Sequence, residues 1–312
     1  LNFIDFHCDT IYKLRKDPAL VLRKNTLSVD AEKLRNSGSI AQFFALYIDL
    51  AETKDPFDEF VRMAEIFRKE LEANSDVLKF SGCFDDLMEN QKQGRISSFL
   101  TVEEGAALQG KMSNLEVLRG LGVRLITLTW NYPNEIGYPA FEGKYMDRGL
   151  TNFGCELVEA MNHHKMIVDV SHLSDRGFYD VSEISKKPFM ASHSNARSVT
   201  NAPRNLTDDM IRVLGNSGGL IGINFERTFL GNSEQGKISE MVRHIDHIRN
   251  AGGIEVLALG SDFDGIDTKP EISDISEMGK LAAALEQNGY SESDIEKIFC
   301  RNALRFIRDT LS

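Results

Sequence analysis

"FIDFHCDTIYKL", residues 3–14, opens as an apolar extended run and closes on His7 and Asp9, one residue apart. Alternate residues of a strand point to the same side, so these two side chains would leave a strand end together. An imidazole converging with a carboxylate suits a divalent metal, and it equally suits a histidine held in place by a neighbouring acid. The choice depends on whether the same pattern, a short strand followed by a metal-capable residue, recurs.

It does recur. Further short runs rich in β-branched and aromatic residues are "IAQFFALYI" from 40, "SSFLTVE" from 97, "VRLITLTW" from 123, "MIVDVSH" from 166, "PFMASH" from 188, "GLIGINF" from 219 and "VLALGSDF" from 256. Several are almost continuously apolar, as strands covered on both faces should be. Between them lie segments of helical period. Phe57, Phe60, Val61, Ala64, Phe67 and Leu71 fall on one face of a helix, as do Phe153, Leu157, Val158 and Met161. Eight alternations without a linker, repeat or low-complexity tract predict an α/β protein, a (β/α)8 TIM barrel formed by residues 1–312 as one domain. An open doubly wound sheet is the alternative. Residues 291–312, "SESDIEKIFCRNALRFIRDTLS", predict two extra C-terminal helices that close the fold, the first opened by a Ser or Asp cap.

The 312-residue chain has 42% hydrophobic and 27% charged residues, a globular composition. A formal charge of −11 with no basic patch argues against a nucleic acid partner. Cys8, Cys83, Cys155 and Cys300 lack CxxC spacing and read as reduced thiols of a cytoplasmic protein. No apolar run reaches the roughly 18 residues of a membrane span. The chain begins at Leu1 rather than Met, which leaves room for an upstream segment.

On the barrel reading, the active site lies at the carboxyl ends of the strands. His7 and Asp9 close the first predicted strand, Glu103 the third, His172 the fifth, His193 the sixth and Asp262 the eighth. Six metal-capable side chains would therefore meet at one mouth. The remaining histidines fall elsewhere. His163 and His164 end a helix, where they meet the negative end of its dipole, and His244 and His247 sit on a helix between the seventh and eighth strands. The first two read as surface residues and the last two as structural. Asp169, three residues before His172, is expected to face the other side of its strand and anchor a barrel-to-helix contact, and Asp264 is expected to serve a turn.

Taken together, "FHCDT", "TVEEGAAL", "GLTNFGCELVEAMN", "IVDVSHLSD", "ASHSNARSVTNAPRNLTDDMI" and "GSDFDG" resemble the renal or membrane dipeptidase family of zinc peptidases, in order and along essentially the whole chain. The resemblance implies an amidohydrolase-like barrel that cleaves small dipeptides with two Zn2+ per chain, with a D-residue at the C-terminal position among its substrates. It assigns the first zinc to His7 and Asp9 and the second to His172 and His193, with Glu103 of the VE motif bridging both. Strand alternation lets only one of Glu103 and Glu104 face inward, and the match to the motif selects Glu103. Asp262 matches the family's catalytic aspartate, the expected proton shuttle, and Arg204 in "NAPRN" matches the arginine that binds the substrate carboxylate. Arg197 is the less favoured candidate for that role. The resemblance also allows a homodimer.

Two positions depart from the pattern. Trp130 stands where many relatives carry a histidine that stabilises the tetrahedral oxyanion, leaving Trp130 as a pocket wall and Asn131 as a candidate donor. Phe229 stands where relatives have a substrate-binding tyrosine. The chemistry expected of the site is attack by a hydroxide shared between two metals about 3.5–4 Å apart, its pKa lowered towards about 7. Another amidohydrolase activity, deaminase or lactonase, and a metal-binding barrel without catalysis are the competing readings.

Overall fold

A computed structural model describes residues 1–312. Its strands are β1 (Phe3–Asp5), β2 (Ser39–Tyr47), β3 (Leu78–Phe80), β4 (Ile96–Glu103), β5 (Val123–Thr127), β6 (Ile167–Asp169), β7 (Met190–Ala191), β8 (Leu220–Ile223) and β9 (Leu257–Leu259). The order is β2-β1-β9-β8-β7-β6-β5-β4-β3, and an additional β2–β4 pairing closes eight of them into a parallel barrel. All eight runs singled out in the sequence are barrel strands. The ninth, β3, pairs only with the start of β4, Leu78 opposite Ile96 and Phe80 opposite Ser98, before β5 takes over that edge at Leu100.

Helices fill the crossovers, and the longest, Pro56–Ala73, buries Phe60, Met63, Ala64, Phe67 and Leu71 along one face. No helix is long and apolar enough to cross a membrane. The main apolar core lies between the barrel and these helices. A second cluster fills the barrel floor, where Phe43 stacks on Phe99 at 4.4 Å and Phe6 meets Phe306 edge-on at 6.2 Å. Phe306 belongs to the C-terminal helix, which therefore plugs the end of the barrel opposite the ligands. That segment is one run rather than two helices. Ser291 caps Glu292–Glu296, a π-helical turn spans Lys297–Arg301, and Asn302–Leu311 continues without a break.

Candidate metal centre

Most of the predicted ligands stand just past their strands. His7 lies two residues beyond β1, His193 two beyond β7, His172 three beyond β6 and Asp262 three beyond β9, while Glu103 is the last residue of β4. His172 and Asp262 occupy the left-handed region, with φ of 68° and 61°, which re-aims each side chain over the barrel axis. All six converge. Glu103 Oε1 lies 3.0 Å from His172 Nε2 and 3.4 Å from His193 Nε2, and its Oε2 lies 3.4 Å from His7 Nε2. His7 Nε2 also lies 3.2 Å from Asp9 Oδ2 and 3.8 Å from Asp262 Oδ1.

Glu104 turns away. Its backbone φ of 104° sends the carboxylate to the backbone N–H groups of Ala106 and Trp130 and to the Asn134 amide, where it caps the short turn Gly105–Leu108. Its surroundings raise its pKa to about 7, chiefly through burial.

The electrostatics of the cluster follow from burial and mutual charge. Burial opposes the charge on His7, but Glu103 and Asp9 outweigh it and hold its pKa well above 6.5. Burial would raise Glu103, yet the His7 charge beside it holds it well below 4.5. Burial lowers His172 to about 4 and His193 well below 6.5, so both rings are neutral and available as ligands. Burial also raises Asp9 to about 6 and Asp262 well above its ordinary 3.8.

These residues fit a metal. His172 Nδ1–H donates to Asn131 Oδ1 at 3.1 Å, and His193 Nδ1–H donates to Ser192 Oγ at 2.8 Å. Both Nε2 atoms therefore carry bare lone pairs, and they face each other at 2.9 Å. Asp9 Oδ1 is buried and accepts no hydrogen bond. Imidazole nitrogens and carboxylate oxygens aimed at one point, with an acceptor left over, form the donor set of a zinc-like ion.

A cavity of about 430 Å³ opens on this cluster, with Tyr47, Trp130, Phe229 and Gly265 among its walls. The Trp130 ring meets Tyr47 at 4.9 Å and lies 6.2 Å from the His172 ring. Arg204 is buried beside it, donating to Ser194 Oγ and the His193 carbonyl, with its guanidinium 5.3 Å from the Phe229 ring. Its Nε has no partner, and burial lowers its pKa to about 10. Arg197, by contrast, is taken up by Asp175 in a two-pronged pair at 2.7 Å. Asp208 and Asp209 pair with His247 and Arg212, so neither holds Arg204.

His244 accepts from the Ala196 N–H and donates to the Leu230 carbonyl, and His164 meets Glu116 on the surface, outside the cluster. Asp264 clasps Thr10 Oγ1 and the Ser28 N–H, each at 2.7 Å. Asp169 corrects the expectation. It lies two residues after Ile167, which belongs to the barrel-floor cluster, and so points inward to Thr127, Ser171 and Ser192 rather than out to a helix. Counting back from His172 misleads because that residue has already left the strand.

Sequence reasoning also missed four residues. Tyr47 pairs in register with Glu103 across β2 and β4. Asn224 donates to Asp262 Oδ2 at 2.8 Å. Ser192 supports His193. Gly265 stands where a Cβ would come within 2.1 Å of Asp9 Oδ2, so only glycine fits. Tyr47 closes an apolar strand run and was open to the same strand-end reasoning as the ligands.

Comparison with known proteins is consistent with this centre. The family model described as membrane dipeptidase, peptidase family M19, matches residues 1–311. The chain belongs to the M19 membrane dipeptidase family. An uncharacterized dipeptidase of Schizosaccharomyces pombe is 32% identical, covering 99% of this chain and 80% of its own. The solved structure of the M19 metallopeptidase dipeptidase AC superposes with a TM-score of 0.93 at 27% identity, covering 100% of this chain and 99% of that one. A metallopeptidase from Rhodobacter sphaeroides, solved with a phosphinate mimic of the dipeptide L-Ala-D-Ala, gives 0.91 at 26% identity over 99% of each chain. The chain is thus a dipeptidase of the M19 family, whose activity depends on metal.

Proposed function

We propose that this M19 dipeptidase works with two zinc ions on small dipeptides, including those with a D-residue at the C-terminal position. His7 and Asp9 would hold one ion, His172 and His193 the other, and Glu103 would bridge them. The observation that carries this reading is the Glu103 carboxylate facing three imidazole Nε2 atoms from 3.0 to 3.4 Å. Bound there, the ions would supply a bridging hydroxide as nucleophile near neutral pH and draw electrons from the scissile carbonyl.

The chain's own groups would do the rest. Asn224 holds Asp262 Oδ2, which leaves Oδ1, the oxygen facing His7, to take a proton from the nucleophile and pass it to the departing amine as the C–N bond breaks. Arg204 is a buried cation without a carboxylate partner, and a substrate's terminal carboxylate would complete its guanidinium fork. Trp130 and Phe229 would wall the side-chain space, with Asn131 orienting His172 and serving as an added donor. The D-residue reading is supported by the ligand of the Rhodobacter sphaeroides relative. Residues 1–312 would act as one domain, and the family resemblance allows a homodimer.

A panel of L,L- and L,D-dipeptides, acyl amino acids, lactones and nucleobases, assayed on zinc-loaded and chelated protein, tests the reading. Zinc-dependent turnover of dipeptides alone is expected. Turnover of a lactone or nucleobase in preference to every dipeptide would overturn it.

A further inference from the structure

We infer that Asp169, acting through Ser192, is a positioning residue that fixes His193 as a metal ligand. This rests on the two-zinc reading. Asp169 is fully buried at the end of β6, and its hydrogen-bond partners are Thr127, Ser171 and Ser192 rather than any of the six ligands. Its Oδ2 accepts from Thr127 Oγ1 and Ser192 Oγ, each at 2.6 Å, and its Oδ1 accepts from the backbone N–H groups of Ser171 at 3.0 Å and Ser192 at 2.9 Å.

The direction of the relay follows from the hydroxyl. Ser192 has one proton, and a carboxylate oxygen at 2.6 Å can only accept it. The Ser192 oxygen is then an acceptor towards His193, 2.8 Å from Nδ1, so the ring proton must sit on Nδ1. Nε2 is left bare and aimed at Glu103 and His172. Ser171 locks the same segment by accepting the His193 backbone N–H at 3.1 Å.

The two histidines are supported unequally. His172 leans on the neutral amide of half-buried Asn131 at the cavity wall, whereas His193 is tied to an anion sealed inside the barrel. A carboxylate behind an imidazole raises its basicity and orients its ring, and loss of such support typically costs about 10- to 100-fold in metal affinity.

Asp169→Asn and Ser192→Ala test this through zinc Kd, measured by chelator competition, and through the visible spectrum of the Co2+-substituted protein. Each is expected to weaken zinc binding by about 10- to 100-fold and to alter the cobalt spectrum. The double variant should be no weaker than the worse single one, because both lie on one relay. Ser192→Thr, which keeps the hydroxyl, should restore affinity. Ser192→Ala removes a single oxygen and decides the matter even where Asp169→Asn fails to fold. Folded variants with wild-type zinc affinity and an unchanged cobalt spectrum would overturn the inference, leaving the two-zinc reading intact. Wild-type protein that binds no zinc would overturn both.

Discussion

His172 Nε2 and His193 Nε2 stand 2.9 Å apart with Glu103 Oε1 facing both. Each ring has its proton on Nδ1, directed to Asn131 or Ser192, so two lone pairs meet. That contact is repulsive unless a cation lies between the nitrogens and the carboxylate. Burial lowers the pKa of both rings, whereas Glu103 and Asp9 outweigh burial at His7 and raise its pKa.

Glu103 and Glu104 separate metal binding from local stability. Glu103→Gln is expected to lose metal and activity together. Glu104→Gln should keep the metal and most activity but lower stability by about 1–3 kcal/mol, since its carboxylate satisfies two backbone N–H groups and the Asn134 amide. Zinc content and urea midpoints of the two variants check this. A zinc-free Glu104→Gln would reverse the assignment.

Arg204 predicts specificity for a free carboxyl end. Arg204→Ala should lower kcat/KM on free dipeptides by an amount corresponding to roughly 1.5–3 kcal/mol, the range for a hydrogen bond to a charged group. Dipeptide amides should lose far less. Equal losses on both would assign Arg204 to the fold alone.

Trp130 is expected to act as a wall. Trp130→Phe keeps an aromatic ring against Tyr47 but deletes the indole donor. A change in kcat below about fivefold, with KM altered across side-chain sizes, is expected. A fall of about 10²- to 10³-fold in folded, metal-loaded protein would make it an oxyanion donor.

His244 predicts an acid-labile contact remote from the metal. Burial lowers its pKa to about 4 from 6.5. Between those values the unfolded chain binds more protons than the folded one, so stability falls as pH falls. Its contribution is complete above about 6.5 and is lost on the way down towards 4. His244→Gln should flatten the difference in unfolding free energy between pH 7.5 and 5 by roughly 1–3 kcal/mol. An unchanged pH dependence would contradict this.

How far the sequence carried depended on the backbone. The eight barrel strands were readable because both their faces are buried. The three-residue β3 was not, since Lys79 and Phe80 are exposed and its pairing with β4 is set by tertiary contact. The ligands were visible as residue types at strand ends. Alternation allowed only one of Glu103 and Glu104 to face inward and the family motif selected Glu103, whereas alternation failed at Asp169 because the count began from His172, already in a left-handed turn. The supports of the centre were hidden for a different reason. Asn131 reaches His172 across 41 residues of chain and Asn224 reaches Asp262 across 38, and single amides of that kind carry no periodic signal.

The most direct measurement is the metal content of active protein purified without chelator, read by elemental analysis against protein concentration and paired with dipeptide turnover as zinc is removed and returned. Close to two zinc ions per chain are expected, with activity lost and regained as both sites empty and fill. A reproducible value near one zinc per chain at full activity would contradict the two-zinc reading.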